Sequence, residues 1–223
     1  MVEVKKFWFH KLPGKLKGDV VIVDACAASA NMCILLSKRP QCLIVVNERN
    51  LEKAENIYKS AILVGESERL PSHRFVASNN LDDMRKVKVR DKKVLWMSIN
   101  GSRVVEKVVE MKNKKEGEAV AGSFSNMQAI SSYFSRKRGR VNIVMAGDRG
   151  VEVEEDKICG EIIERMILGL SFDWEQAREK IKKFVKRYYG VWRRNLKFLV
   201  DYPNEFDVVP KFFINKSGFI EVK

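Results

Sequence analysis

Short apolar runs alternate with longer amphipathic segments along most of the chain. The runs are rich in valine and isoleucine, which is typical of parallel strands that are covered on both faces. The predicted strands are Val2–Phe9, Val20–Val23, Leu43–Val46, Ala61–Val64, Arg74–Ala77, Lys93–Ser98, Ala119–Ser123 and Val141–Ala146, with short strands near Phe206–Val209 and Phe219–Val222. The predicted helices are Ser29–Ser37, Leu51–Lys59, Ser102–Met111, Asn126–Phe134, Glu155–Leu168 and Asp173–Leu199.

This alternation predicts an α/β fold, namely a three-layer α/β/α sandwich with a largely parallel or mixed central sheet. No stretch has the composition of a linker, an internal repeat or a low-complexity segment, so residues 1–223 are expected to form a single α/β domain. Helix N-caps are predicted at Asn50, Ser125 and Asp173, because short polar side chains accept hydrogen bonds from the first free N–H groups of a helix.

Nearly every predicted strand ends in a polar residue with a glycine or another small residue nearby. In open α/β sheets, ligands bind beyond the carboxyl ends of the strands. A single polar ending is an ordinary helix cap, but the whole set predicts a polar cleft for a small polar ligand. The endings are Asp24, Asn47-Glu48, Gly65-Glu66, Ser78-Asn79, Asn100-Gly101, Ser123 with Asn126, and Gly147-Asp148.

The net charge of +13 favours anionic ligands, from phosphate esters to nucleic acid. The basic residues are spread over most of the chain, so nucleic acid is left open as a partner but is not favoured. No apolar run approaches the roughly 18 residues of a membrane span, and the first residues do not resemble a signal peptide. We therefore expect no membrane association and a cytoplasmic location. The four cysteines lie in apolar segments and are expected to be reduced core residues.

One alternative function comes from the N-terminal third. The segment "VIVDACAASANMCILLSK", followed by "CLIVVNERNLEKAENI", resembles the start of a Rossmann-like methyltransferase. Glu48 would then bind the ribose hydroxyls of S-adenosylmethionine. The turn at 25–30, "ACAASA", contains none of the glycines that let the backbone approach such a cofactor.

A second resemblance extends from about Val20 to the C-terminus. It rests on several short motifs in a fixed order, which are Asp24 with "ACAAS" (including Ala28 and Ser29), Gly65-Glu66, Asn79, Asn100-Gly101, Gly122–Asn126, Ala146-Gly147 and Asp207–Pro210. In these motifs the sequence resembles the 2-phosphosulfolactate phosphatase family. The members of that family are magnesium-dependent phosphatases named for a step in coenzyme M biosynthesis.

The resemblance implies magnesium (Mg2+) as the cofactor and a small phosphorylated anion as the ligand. Asp24 and Glu66, at neighbouring strand ends, are the candidate catalytic residues and metal ligands, and Asp156 or the adjacent Glu155, at a predicted helix start near the same edge, is a third candidate ligand. Magnesium usually binds one or two carboxylates and keeps several waters. The residues implied to bind substrate are Ser29, Asn79, Asn100, Gly101, Ser123, Asn126 and Gly147.

The sequence departs from the family pattern at its anion-binding arginines. Ala27 stands where the family has an arginine after the first aspartate, and Ser67 stands where an arginine usually follows Glu66, although Arg69 lies nearby. An arginine offers a planar fork of donors that suits phosphate and sulfonate groups. The hypotheses are therefore a phosphatase acting on a different small phosphate ester, or a catalytically degenerate relative that binds a small anion or a partner. A homo-oligomer is left open.

Overall fold

A computed structural model describes residues 2–112, 117–185 and 190–223, which form an α/β sandwich around one nine-stranded sheet. The strands are β1 (Val2–Trp8), β2 (Asp19–Val23), β3 (Cys42–Val46), β4 (Ile62–Gly65), β5 (Lys93–Met97), β6 (Ala119–Gly122), β7 (Gly139–Met145), β8 (Lys211–Ile214) and β9 (Ile220–Val222). The α-helices are α1 (Ala28–Ser37), α2 (Leu51–Ile57), α3 (Leu81–Lys86), α4 (Gly101–Met111), α5 (Met127–Ser135), α6 (Glu154–Ile167), α7 (Trp174–Val185) and α8 (Gly190–Asp201).

The strand order is β1-β7-β2-β6-β8-β9-β3-β5-β4. The first four strands are parallel to one another, as are the last three, and the antiparallel pair β8–β9 joins these two groups. All five residues of β2 are buried, as expected for a strand covered on both faces. The sheet is therefore mixed, and the fold class predicted from the sequence is confirmed.

The β8–β9 pair has a consequence for the predicted cleft. Three antiparallel pairings separate β6 from β3, so the two parallel groups are antiparallel to each other in the sheet. Neighbouring strands also rotate by roughly 20–25° per step, and this twist accumulates over the intervening strands. The loops that follow β4 and β5 nevertheless contact the loops that follow β2 and β7, as the site geometry below shows. A sheet edge shared by all strands is thus not what brings these loops together.

Strands β1–β7 and β9 lie within two residues of their predicted bounds. Two predicted strands are wrong. At Arg74–Ala77, a 3-10 helix (Ser72–Arg74) takes up the start of the segment, and only Ala77 forms a bridge, to Val64. At Phe206–Val209, the backbone bonds to the loop before α5 instead of to a strand, and the strand follows later, as β8.

Two helix predictions also need correction. Helix α3 was not predicted, because six residues are too few to show the hydrophobic periodicity of a helix. Its N-cap is Asn80, whose side chain accepts the N–H of Asp82 at 3.1 Å. The single helix predicted for Asp173–Leu199 is instead two helices, α7 and α8, and residues 186–189 between them lie outside the described part. Arg178 pairs with Asp201 at 3.1 Å, whereas one continuous helix would separate them by about 34 Å.

The three predicted caps have different outcomes. Asp173 is confirmed as a cap, since its Oδ1 accepts the N–H of Gln176 at 2.9 Å. Asn50 occupies the cap position of α2, but its side chain accepts the N–H of Asn47 instead. Ser125 is wrong as a cap, because α5 begins at Met127. None of the described helices is both long and apolar enough to cross a membrane.

Candidate active site

Asp24 lies directly after β2, where it holds the first turn of α1. Its Oδ1 accepts the N–H groups of Ala28 at 3.1 Å and Ala27 at 3.3 Å. Ser29 supports the same turn, because its hydroxyl donates to the carbonyl of Ile22 and accepts the N–H of Asp24. Asp24 therefore does cap a helix, but with one oxygen only. Its Oδ2 has no hydrogen-bond partner among the described residues, which leaves that oxygen available to a ligand.

Asp24 is also a carboxylate in an unfavourable place for negative charge. The pKa of Asp24 is raised from 3.8 to about 6, chiefly by burial and to a smaller extent by the charges of Glu155 and Glu66, while the N–H groups of Ala28 and Ala27 act in the opposite direction. Two other carboxylates thus act on Asp24 at this point, although they come from the loop after β4 and from the start of α6. A cluster of this kind is stabilised by a bound cation.

Glu66 is placed by the unusual backbone of Gly65 at the end of β4. Gly65 has φ +119°, and a Cβ at this position would lie 1.8 Å from the carbonyl oxygen of Met97. Only glycine allows this approach. The next N–H, that of Glu66, then donates to the same carbonyl at 3.0 Å. The side chain of Glu66 is half-buried and has no hydrogen-bond partner among the described residues, so its carboxylate can bind a ligand.

Asp156 holds two loops together from its position in the first turn of α6. Its Oδ1 accepts the N–H of Ala25 at 2.7 Å and its Oδ2 accepts the N–H of Gly147 at 2.8 Å. Burial and the charge of Asp24 raise the pKa of Asp156 well above its ordinary value. Because both oxygens are already engaged, Asp156 differs from Asp24. Its neighbour Glu155 is buried too, with Oε1 3.7 Å from the sulfur of Cys26.

Asn100 and Gly101 bring the end of β5 into the same place. The Nδ2 of Asn100 donates to the carbonyl of Gly147 at 2.6 Å, which links the loop after β5 to the loop after β7. At Gly101, a Cβ would lie 2.5 Å from that of Ala28, so glycine lets the start of α4 pack against the start of α1. Of the predicted substrate-binding residues, Ser29 contacts Asp24 directly and Gly101 packs against Ala28, whose N–H Asp24 accepts. Asn100 and Gly147 are linked to the Asp24 turn through Asp156, which bonds to both Gly147 and Ala25.

Ser123 and Asn126 are completely buried, with bonds to other parts of the protein. The Oδ1 of Asn126 accepts the N–H of Ser123, and its Nδ2 donates to the carbonyls of Ala121 and Val208 at 3.1 and 3.0 Å. The motifs Gly122–Asn126 and Asp207–Pro210 are thus in contact with each other. These bonds give both residues a structural role, and their predicted role in substrate binding stays a prediction.

Asn79 is likewise buried and pairs with Asn31 of α1. The Nδ2 of Asn31 donates to the backbone carbonyl of Asn79 at 3.0 Å and to its Oδ1 at 3.2 Å. The Nδ2 of Asn79 has no partner in the described part of the chain. No described contact joins Asn79 to Asp24 or Glu66, so its predicted role in substrate binding also stays a prediction.

Arg149 is a site residue to which the sequence motifs assign no role. It follows Gly147 in the loop after β7 and has a left-handed backbone, with φ 50°. Its Nη2 lies 2.8 Å from Oε1 of Glu68, two residues after Glu66. This ion pair joins the loops after β7 and β4, which also carry Gly147 and Glu66. Ala27, where the family pattern has an arginine, is buried at the start of α1.

The carboxylate cluster also bears on metal binding. Across 2–112, 117–185 and 190–223, no three His, Cys, Asp or Glu side chains are grouped in a way that could hold a metal ion. Magnesium does not need such a group, since one or two carboxylates and several waters suffice. Asp24 and Glu66 each have free carboxylate oxygen, so a two-carboxylate site fits magnesium. The role of Asp156 as a third ligand stays a prediction.

These features define an α/β protein with an acidic site built from loops after β2, β4, β5 and β7. A family model described as 2-phosphosulpholactate phosphatase matches residues 9–200. The chain belongs to this family. The family resemblance expected from the sequence motifs is thus confirmed.

Individual relatives carry the same description at low identity. A protein of Caldanaerobacter subterraneus subsp. tengcongensis, named "Probable 2-phosphosulfolactate phosphatase", is 25% identical over 224 residues, covering 91% of this chain and 89% of the relative. The "2-phosphosulfolactate phosphatase" of Methanothermobacter thermautotrophicus is 28% identical over 149 residues, covering 66% and 60%. A "Probable 2-phosphosulfolactate phosphatase" of Thermotoga maritima is 27% identical over 148 residues, which cover 66% of this chain and 61% of the relative. The match spans less than two thirds of the length of the last two relatives.

The methyltransferase alternative receives no support from the family match. The structure also places Glu48 in other contacts, since its carboxylate accepts hydrogen bonds from the Ser67 hydroxyl and the Arg69 N–H. The side chain of Arg69 pairs with Glu48 as well, at 3.1 Å. Arg69, which could have replaced a missing family arginine, is therefore engaged with the loop after β3.

Proposed function

We propose that this protein is a magnesium-dependent phosphatase that hydrolyses a small phosphate ester, which need not be 2-phosphosulfolactate. The observation that carries the proposal is the free carboxylate oxygen of Asp24, in a partly buried position where the charges of Glu66 and Glu155 act on it. Folding places Asp24 there at a cost, because burial and the charges of these neighbours oppose its ionisation. A bound cation offsets that cost, which supports a functional role over a merely structural one.

The proposed reaction is hydrolysis of a phosphate monoester. The oxygen of water bonds to phosphorus, the bond between phosphorus and the ester oxygen breaks, and the departing alcohol takes up a proton. When bound, magnesium neutralises charge on the phosphoryl oxygens and orients water. Asp24 and Glu66 would hold the ion. The hydrogen bond from Asn100 to Gly147 and those from Ala25 and Gly147 to Asp156 would keep the loops in position while substrate binds.

The test is hydrolysis of a panel of phosphate esters by the purified protein, with Mg2+ and with a chelator in its place. We expect turnover that requires the metal and that falls by at least about a hundredfold in Glu66→Gln, since this change removes a ligand charge and keeps the side-chain shape. Glu52→Gln on the exposed face of α2 is the matched control. A rate of hydrolysis that neither the chelator nor Glu66→Gln lowers would refute the proposed metal site.

Arg149 is expected to bind the phosphoryl group. Its loop carries Gly147, and its guanidinium reaches the loop that carries Glu66, so it could exchange Glu68 for a phosphate with similar geometry. Arg149→Ala is expected to raise KM for a phosphate ester by about tenfold or more, with a smaller change in kcat. Steady-state kinetics and competitive inhibition by inorganic phosphate measure both effects.

Arg69→Ala provides the control for this prediction. Arg69 lies on the loop after β4 and is, like Arg149, an exposed arginine paired with a glutamate, in this case Glu48. Glu68→Gln should leave Arg149 without its acidic partner, and we expect an unchanged or lower KM. Equal effects of Arg149→Ala and Arg69→Ala would mean that both residues act only through general surface charge.

The second candidate is a catalytically degenerate relative that binds a small anion or a partner. It is favoured by the buried alanine at position 27 and by the engagement of Arg69 with Glu48, because both remove an anion-binding arginine of the family pattern. The ester panel separates the two candidates. A folded protein that binds inorganic phosphate but hydrolyses no ester would support the degenerate relative.

A further inference from the structure

A pocket of about 770 Å³ opens beside Glu66. Gly65, Glu66 and Ser67 form one end of it, and the rest of the wall comes from the segments on either side of α3. The volume lies within the roughly 300–1,000 Å³ of typical small-molecule sites. Because Glu66 is a proposed metal ligand, a phosphate ester bound there would have the pocket directly beside it.

One wall of the pocket is apolar. Leu70, Phe75, Val76 and Val87 line it, and the side chain of Val76 is 64% exposed. An exposed valine beside a partly buried phenylalanine leaves apolar surface in contact with water, which favours covering by an apolar ligand group. This wall is therefore suited to the carbon body of a substrate rather than to a second phosphate.

The same pocket also has a basic part. After α3 the chain continues in an extended segment in which Val87 and Val89 are buried while Lys86 and Lys88 are exposed. Lys92 completes a group of three lysines on this pocket. Among the described ion pairs and hydrogen bonds, none involves the ammonium groups of these lysines. Asp83, an acid in the same wall, is bonded to the hydroxyl of Ser78 at 2.5 Å.

The basic character continues past the pocket. A second hollow of about 580 Å³ shares Val87 and Lys88 with it and adds Arg39 and Arg90. Lys38 also lines this hollow, but its Nζ donates to three backbone carbonyls at the end of α3 and is engaged there. Lys88 thus lies where the two hollows meet.

We propose that this pocket binds the body of the substrate, which is an elongated phosphate monoester with an apolar carbon body and a second anionic group that Lys86, Lys88 and Lys92 recognise. The inference rests on the proposed phosphatase function, because it places the scissile phosphate at Glu66. It adds a specificity site to which the carboxylate cluster does not contribute. Lys92 precedes Met97, the β5 partner of Gly65, by five residues, which places it about 16 Å along the strand direction from the end of β4 that carries Glu66. The substrate is elongated because it spans this distance.

The test uses two series of phosphate esters with increasing chain length, the alkyl phosphates and the ω-carboxyalkyl phosphates. At one chain length or more, the carboxylated ester is expected to have at least a tenfold higher kcat/KM than its alkyl counterpart. The double variant Lys86→Gln/Lys88→Gln, which keeps Lys92, should reduce this preference severalfold, because kcat/KM for the carboxylated esters should fall more than kcat/KM for the alkyl esters of the same length. Lys107→Gln, an exposed lysine of α4 outside the pocket, is the matched control.

Calorimetric binding of the same esters separates this inference from the proposed function. If no ester is hydrolysed but the ω-carboxyalkyl phosphates bind more weakly to the double variant than to wild type, the phosphatase proposal fails and the pocket assignment holds. If esters are hydrolysed with no preference for the carboxylate at any length, or with a preference that the double variant retains, the pocket assignment is overturned and the phosphatase proposal stands.

Discussion

Asp24→Asn is expected to abolish phosphate-ester hydrolysis and, in the same protein, to stabilise the metal-free fold. The activity should fall by about a thousandfold or more, because the variant loses the charge of a proposed metal ligand. The helix cap should survive, since the Oδ1 of asparagine can accept the N–H groups of Ala27 and Ala28 as the aspartate does. Loss of function and gain of stability from one change is the signature of a site in which charges are held together for a ligand.

The stability part of this prediction follows from the raised pKa. An acid whose pKa is higher in the folded state than in the unfolded state binds protons more tightly when folded, so stability falls as pH rises between the two values. For Asp24 that window runs from 3.8 to about 6. At about 1.4 kcal/mol per pKa unit, the ionised carboxylate costs the folded state on the order of 3 kcal/mol at neutral pH. Asp24→Asn removes this cost, and the gain should vanish below pH ~4.

Thermal unfolding in chelator at several pH values measures the effect, and a second series with Mg2+ tests its cause. Mg2+ should raise the Tm of wild type and not that of Asp24→Asn. Asp91→Asn, an exposed aspartate, serves as the control for loss of charge. An Asp24→Asn variant with wild-type activity and unchanged stability would mean that Asp24 is only a helix cap.

The sequence predicted the core of the fold because β2 to β7 are marked by short, largely apolar runs, a local signal. It failed at the strand predicted for Arg74–Ala77, because that segment has an apolar pattern but only Val76 and Ala77 bond to β4, and only Ala77 forms a bridge. It also failed to separate α7 from α8. There the apolar stripe continues in phase, and the reversal is shown only by a contact between residues distant in the chain, Arg178 with Asp201.

The same distinction applies to the site. Asp24 and Glu66 were predicted from strand ends, and the structure places both in one electrostatic cluster. The prediction assumed a common edge of parallel strands, whereas the antiparallel pair β8–β9 separates the two groups. Asn126 lies in an intact motif and was predicted to bind substrate. Its side-chain hydrogen bonds are instead made to Ser123, Ala121 and Val208. Arg149 has no motif, and only its contact with Glu68 gives it a place at the site.

Asp156→Asn is expected to have the opposite effect on stability from Asp24→Asn, although both residues are buried carboxylates of one cluster. Asp156 accepts one backbone N–H on each oxygen, from Ala25 and Gly147. Asparagine can accept only one of them, and its NH2 group would then lie against the other N–H donor. A buried donor without an acceptor costs about 1–3 kcal/mol, so the variant should be less stable than wild type by about that amount.

Urea unfolding of the metal-free protein measures this cost, and amide hydrogen exchange locates it. Exchange at Ala25 or Gly147 should accelerate in Asp156→Asn more than exchange in the strands β2 and β7 that precede these residues, because the lost bond is local. Removing the Asp156 charge also removes the cost of burying that charge, which is the main cause of its raised pKa, and relieves repulsion of Asp24. Both effects reduce the loss of stability, but neither supplies the missing acceptor. If Asp156→Asn instead stabilised the protein as Asp24→Asn is expected to, its charge would outweigh its hydrogen bonds. Asp156 would then belong with Asp24 as a ligand carboxylate rather than as the residue that joins the two loops.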